Sequence, residues 1–371
     1  MHTGNRSGVV VAHDYFTQRG GAERVALVLA KELQAERLIT AFHRPEQTFS
    51  ETRDVDLELL DSPMLKPFAS DPRRALPLLS IAWSVQPPID ATAVVCSSSG
   101  WSHGIRVTER TRKIVYCHNP ARWLYQRDDY VRGMSRGVRG ALTAMGPSLR
   151  RWDRRAAHSA DIYVANSTVV AQRIGEAYGI DAHVVHPPIS MDTAGPMEPV
   201  PGLEPGFFLT VARARSYKGT EVLKEAFARM PDLQLAVVGA PLKEPVPPNV
   251  TPLATVSDAQ LRWLYANARA LVSISHEDFG LTPLEANAFG TPSLVLRSGG
   301  FLDSTAEGTS GLFIDDETIG SVIRATRTFP ARWNANTIRE HASLFSREHF
   351  TARMRELIGL PRLASAAANA A

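Results

Sequence analysis

Glu277 and Glu285 stand with seven residues between them in Glu277-Asp278-Phe279-Gly280-Leu281-Thr282-Pro283-Leu284-Glu285. The segment reads as a strand end, a glycine turn and a helix start. Backbone amides of such a turn suit a phosphate oxygen, and the flanking carboxylates accept hydrogen bonds from sugar hydroxyls. A plainer explanation covers half of this. Thr282 is a good N-cap, Pro283 suits the first helical position, and Thr282 to Glu285 has capping-box spacing, in which Glu285 only satisfies a backbone amide. Glu277 is left without such an explanation. Three further clusters carry chemistry. Arg213 follows the apolar run that ends at Val211-Ala212, and Lys218-Gly219 opens a helix. Two cations beside helix amides are placed for a diphosphate, whose departure builds negative charge that fixed cations stabilise. Solvated surface charges are the ordinary alternative. His118, in Tyr116-Cys117-His118-Asn119-Pro120-Ala121-Arg122, ends a strand that Pro120 stops, with Asn119 and Arg122 beside it. A lone loop histidine is more often only a satisfied polar group. Finally, His13-Asp14-Tyr15 and Gln18-Arg19-Gly20-Gly21-Ala22-Glu23 join a strand to a helix. Adjacent glycines let the backbone approach a ligand closely, although a plain turn explains them equally. The Gly-x-Gly-x-x-Gly fingerprint of dinucleotide sites is missing.

Positioning these clusters needs strands that end near one another. Short runs of Val, Ile and Ala alternate with helical patterns, as in parallel sheets covered on both faces. In the first half, strands are expected at 8–12, 91–96, 113–117, 161–165 and 183–186, with helices at 21–32 and 167–178. From Pro187-Pro188 to Gly206, helix and strand breakers accumulate and mark a linker. The alternation then restarts. Strands are expected at 207–211, 233–239, 270–275 and 293–296. Helices are expected at 219–230, 258–267 with Ser257 as cap, 283–289, 319–327, 334–342 and 347–357. The reading is α/β, two doubly wound units, with ligands at the carboxyl ends of the strands and a cleft implied between them.

Composition limits what such a chain does. Its 371 residues suit two domains, and 44% hydrophobic residues supply both cores. Lys+Arg of 41 against Asp+Glu of 38 gives +3, too small a charge to make nucleic acid the partner. Two cysteines, Cys96 and Cys117, build neither a disulfide framework nor a zinc site and fit a reducing cytosol as buried small hydrophobes. No segment is apolar and long enough to span a bilayer, and Val9-Val10-Val11-Ala12 is too short for a signal-peptide core.

Together the four clusters resemble the retaining nucleotide-sugar glycosyltransferases of glycosyltransferase family 4, with the GT-B fold. Ala165-Asn166-Ser167, Val185-His186-Pro187-Pro188, and Gly299-Gly300 before Asp303 add to the likeness. The wording Tyr116-Cys117-His118-Asn119-Pro120, Arg151-Trp152-Asp153-Arg154-Arg155 and Glu277-Asp278-Phe279-Gly280 looks most like the bacterial O-antigen and exopolysaccharide mannosyltransferase branch. Ala212 and Asp278 depart from it, since many members have Gly at both positions. The resemblance implies an acceptor-binding domain at 1–190, a nucleotide-sugar domain at 191–345, and a last helix in 346–371 crossing back to the first. It implies that Gly20 and Gly21 lie against the donor phosphates and the acceptor, that His118 contacts the transferred sugar, and that Arg213 and Lys218 hold the diphosphate. Glu277 would bind sugar hydroxyls and Glu285 the ribose, with Phe279, Gly280, Leu281 and Thr282 lining phosphate and sugar through their amides. Asp14, Tyr15, Asn119 and Arg122 would meet the acceptor. The implied catalytic set is His118, Arg213, Lys218 and Glu277.

The implied reaction moves mannose from GDP-mannose to a saccharide or lipid-linked acceptor of a cell-surface polysaccharide or glycolipid. No cofactor is expected and no metal, since the resemblance implies a site in which Arg and Lys replace the cation. Retention would follow from front-face attack, with the leaving phosphate taking the acceptor proton. Another enzyme on the same scaffold, such as a phosphorylase or nucleotide-sugar epimerase, and a non-catalytic sugar- or nucleotide-binding protein are the alternatives. A basic stretch contains Arg132, Arg136, Arg139, Arg150, Arg151, Arg154 and Arg155, interspersed with Leu142, Met145, Leu149 and Trp152. With a lipid-linked acceptor implied, it is read as peripheral contact with an anionic membrane through Arg150, Arg151, Arg154 and Arg155. The expected location is cytoplasmic, on the inner face of the membrane.

Overall fold

The computed structural model describes residues 8–126, 136–212, 217–239 and 241–361. The chain divides into two units, Met1–His186 with Arg347–Ala371, and Pro187–Ser346. The break falls where the Pro-Pro dipeptide begins, a few residues before the expected boundary at 190.

In the first unit the strands are β1 (Val9–His13), β2 (Arg37–Thr40), β3 (Leu57–Leu59), β4 (Ala93–Ser98), β5 (Arg112–Cys117), β6 (Ile162–Ala165) and β7 (His183–Val184). Its helices are α1 (Gly21–Glu32), α2 (Leu76–Ser84), α3 (Arg122–Tyr125), α4 (Arg136–Ala157) and α5 (Thr168–Tyr178). The strands form one sheet in the order β3-β2-β1-β4-β5-β6-β7, all parallel. β7 is shorter than its expected run, because Val185 and His186 lie beyond the last ladder pair with β6.

The second unit holds β8 (Phe208–Val211), α6 (Tyr217–Ala228), β9 (Leu235–Val238), β10 (Val250–Leu253), α7 (Asp258–Asn267) and β11 (Ala270–Ser273). After these come α8 (Leu281–Ala288), β12 (Ser293–Leu296), α9 (Phe301–Ser304), β13 (Gly311–Ile314), α10 (Ile319–Arg327) and α11 (Ala335–Ser343). The sheet order is β10-β9-β8-β11-β12-β13, again parallel. Ser257 caps α7 in a full capping box with Gln260. The last helix, α12 (Arg347–Ile358), packs on the first unit. Phe350, Met354 and Ile358 recur every four residues and bury with Tyr116 and the α1 side chains, and Arg112 bonds the Ile358 carbonyl at 3.0 Å.

Side chains alternate between the faces of a strand, and this sorts the first unit's core. Val9 and Val11 of β1, Ala93 and Val95 of β4, and Ile114 and Tyr116 of β5 pack under α1 and α12. Val10, Ala12, Val94, Cys96, Val115 and Cys117 pack on the opposite face. Extended by the same period, His13, Ser97 and His118 belong to the first face, and Asp14, Ser98 and Asn119 to the second. In each sheet the order reverses between two central strands, β1 and β4 in one, β8 and β11 in the other. Their carboxyl ends are the switch points at which ligands bind in open α/β sheets.

Candidate active site

In the second unit the switch point is flanked by the two most informative clusters. β8 ends at Val211, and the Ala212 amide donates to the Val238 carbonyl at 3.0 Å. Gly239, with φ of +80°, packs so closely that a Cβ there would lie 2.5 Å from the Ala212 carbonyl oxygen. Arg213 lies outside the described residues. Lys218 is the second residue of α6, and its side chain also lies outside what is described. The backbone beside it packs closely: a Cβ on Gly219 would be 3.4 Å from Ile274. The first turn of α6 therefore rests against the end of β11, three residues before Glu277.

Beyond β11, Ser275 Oγ donates to Glu277 Oε1 at 3.0 Å, and the Glu277 carbonyl accepts from the Gly300 amide at 2.9 Å. The loop after β11 thus lies backbone to backbone on the loop after β12. Gly280 makes the turn with φ of +86° and is the N-cap of α8. This corrects the expected start. Thr282 is the second residue of α8 and Pro283 the third, and no side chain caps the helix. The reason is the φ at residue 280, which a glycine accepts and which begins the helix two residues early. Without a side-chain cap, the amides of Leu281 and Thr282 are the groups that a phosphate or sugar oxygen would meet. Phe279 anchors the loop from below, its ring buried with Leu284 and Phe345.

Glu285 does not close a capping box. Its Oε2 accepts from the Tyr265 hydroxyl at 2.7 Å. Burial, then the Glu285 charge, raises the Tyr265 hydroxyl well above its ordinary pKa, so it stays a donor. Tyr265, on α7, was not legible as a partner because it is 20 residues away with no motif between them. His276 is exposed and bonds Ser298 Oγ at 3.2 Å as well as Glu317.

At the first unit's switch point, His13 and Ser97 are register partners across β1 and β4. His13 Nδ1 lies 3.0 Å from the Ser97 carbonyl oxygen and 3.1 Å from Ser97 Oγ, and Ser97 Oγ lies 2.7 Å from His118 Nε2. All three residues are buried. Burial first, and the neighbouring His13 second, hold the His118 imidazole down at about 3, so it is neutral near pH 7. The folded protein refuses until about pH 3 a proton that the unfolded chain accepts near 6.5. Stability is therefore complete above pH 6.5 and falls as pH drops through this window, by up to about 1.4 kcal/mol per unit. Urea midpoints from pH 7 to 4 are expected to fall less steeply for His118→Gln than for the wild type; equal slopes would contradict the buried neutral ring.

The other face carries a second buried network. Asp14, read as an acceptor-binding residue, is 2% exposed and accepts from the Ser99 and Ser102 amides, each at 2.7 Å, and from Ser98 Oγ at 3.3 Å. Both oxygens hold the loop after β4, because the period of two points residue 14 away from the face that carries His13. Asn119 is likewise buried and accepts from Arg173 at 2.9 Å. Tyr15 is half-buried against the core, and Arg122 opens α3 in an exposed position. Gly20 is the N-cap of α1, and the place of its missing Cβ is taken by the Glu23 carboxylate, 2.2 Å away. Gly21 begins the helix beside it.

In the basic stretch, Arg132 and the side chains of Arg136, Arg139 and Leu142 lie outside what is described. Arg150 bonds the Leu124 carbonyl at 2.9 Å and Arg154 the Ala177 carbonyl at 3.0 Å. Both therefore pin α4 to its neighbours, although Arg150, Arg151, Arg154 and Arg155 are all exposed residues. No helix among the described residues is long and apolar enough to cross a membrane.

Residues 19–193 match the family model Glycosyltransferase Family 4, and residues 198–333 match Glycosyl transferases group 1. The D-inositol 3-phosphate glycosyltransferase of Mycobacterium sp. (strain JLS) is 28% identical over 243 residues, covering 56% of this chain and 55% of that protein. That of Geodermatophilus obscurus is 30% identical over 226 residues, covering 51% and 50%. The chain spans about half the length of the curated relatives it matches. Anabaena Alr3699/HepE, crystallised in complex with UDP and glucose, superposes with a TM-score of 0.66 at 15% identity, covering 94% of this chain and 99% of that one.

Proposed function

We propose that this chain, which has the α/β GT-B fold and matches the family 4 and group 1 glycosyltransferase models, transfers a hexosyl group from a nucleotide-sugar to a saccharide or lipid-linked acceptor with retention at the anomeric carbon. The observation that carries this reading is the fall of Glu277, the α8 amides and the first turn of α6 at one switch point. Arg213 and Lys218 take the diphosphate, Glu277 the sugar hydroxyls, and Glu285 the ribose, with Tyr265 fixing one of its oxygens. The acceptor hydroxyl oxygen forms the new bond to the anomeric carbon as the bond from that carbon to the phosphate oxygen breaks. The electron pair leaves with the nucleoside diphosphate, whose oxygen takes the acceptor proton. Developing charge is met by the two cations and the helix start, so the reading needs no metal ion.

The motif wording favours GDP-mannose as donor, whereas the structural relative from Anabaena was crystallised with UDP and glucose. A thermal-shift panel of GDP-, UDP-, ADP- and dTDP-sugars, run in EDTA, separates these. A ligand selective for the folded state raises the melting temperature by mass action, so one nucleotide class is expected to stand out. A panel without any shift counts against the nucleotide-sugar site. A shift that needs added magnesium counts against the metal-free one.

A further inference from the structure

Ser97 sits at the centre of the buried row His13, Ser97, His118, and the protons in that row are determined by the partners. The Ser97 carbonyl oxygen can only accept, so the His13 Nδ1 that contacts it at 3.0 Å must carry a hydrogen. That N–H also points to Ser97 Oγ at 3.1 Å, which makes the hydroxyl an acceptor from His13. The hydroxyl proton then has one remaining partner among the described residues, His118 Nε2 at 2.7 Å. Were Nε2 itself protonated, two hydrogens would meet on that line and a fully buried hydroxyl proton would lack an acceptor, which is an unfavourable arrangement.

We propose that Ser97 is a positioning residue that fixes His118 as the Nδ1–H tautomer, so that the ring offers an uncharged hydrogen-bond donor to the ligand at the carboxyl edge of the first sheet. Among the described residues no group bonds His118 Nδ1, whereas the backbone on either side of the ring is tied down. The His118 amide donates to the Ser98 carbonyl at 2.9 Å, and the His118 carbonyl accepts from Asn166 at 3.1 Å. A neutral N–H suits a hydroxyl oxygen of a sugar. It discriminates by geometry, because it lacks the charge that would draw any anion. This inference rests on the reading that His118 meets the transferred sugar.

Imidazole nitrogen–proton correlation spectra of the histidine-labelled full chain test the tautomer directly. In the wild type the His118 proton is expected on Nδ1; finding it on Nε2 overturns the proposal without any variant. In Ser97→Ala the proton is expected to move wholly or partly to Nε2, with kcat about tenfold lower and KM for the donor little changed. Ser97→Thr, which keeps the hydroxyl on a strand, is expected to restore both tautomer and rate. Retention of Nδ1–H in Ser97→Ala overturns the positioning role. A shifted tautomer with unchanged kcat leaves Ser97 in that role and instead removes the contact between His118 and the sugar.

Discussion

Lys218→Ala is expected to lower kcat by about 10²–10³-fold, the usual consequence of removing a fixed group that faces charge developing in the transition state. The melting temperature should stay within about 2 °C, because alanine is a better helix former than lysine and residue 218 is in the first turn of α6. Gly219 links this residue to the site. Its contact with Ile274 sets that turn against the end of β11, so a cation one residue earlier is borne by backbone that already abuts the Glu277 loop. The loss should fall on kcat more than on KM, since charge builds on the leaving diphosphate as the bond breaks. Lys218→Arg keeps the charge but changes its shape and reach, and should recover only part of the rate. Turnover measured by nucleoside diphosphate release decides the matter. Near-normal kcat in Lys218→Ala would remove the diphosphate assignment.

A single methyl group at Gly300 is expected to be equally damaging by a different route. A Cβ there would lie 2.2 Å from the Phe279 Cα and 2.4 Å from the Asp278 carbonyl oxygen, both backbone atoms with no rotamer to escape into. Gly300 has φ of −70°, an angle any residue adopts, so the requirement is for space alone. Gly300→Ala must therefore push the loop from Glu277 to Gly280 outward and break the 2.9 Å bond between the Gly300 amide and the Glu277 carbonyl. Overpacking of this kind costs about 1–3 kcal/mol. Displacing Glu277 by about 1 Å is expected to lower kcat/KM by about 10²-fold. Gly320→Ala in α10 is the control. Its nearest neighbour would be the flexible end of Arg324 at 3.5 Å, and stability and rate should both hold. A Gly300→Ala variant with wild-type kcat/KM would show that the two loops do not act as one unit.

The four motifs were legible because each is local. A glycine pair, a strand stopped by Pro120, a glutamate beside a glycine turn and a basic helix start announce themselves within a few residues. So did the alternation of buried strands and helices, the break at Pro187, and Ser257 as the cap of α7. Strands at the rims escaped notice. β3 has two exposed residues in three, β10 contains Pro252, tolerated because it lies at the edge of its sheet, and β13 begins with a glycine. α2 is apolar nearly throughout and shows no helical period.

From the sequence alone came the fold class, the segments that bear chemistry and the residue types in them, since propensity and patterning act over one turn or one strand. Tertiary structure alone decided which of those residues meet. Strand order set β1 beside β4, placing His13 against Ser97 across 84 residues of chain. The alternation of strand faces then gave His13 to His118 and Asp14 to the loop after β4. Helix packing likewise set Glu285 against Tyr265, a partner that neither the ribose reading nor its capping-box alternative contained. The physical reason is that hydrogen-bonded ladders fix distance and face between segments remote in sequence, and no spacing along the chain encodes which strands will pair.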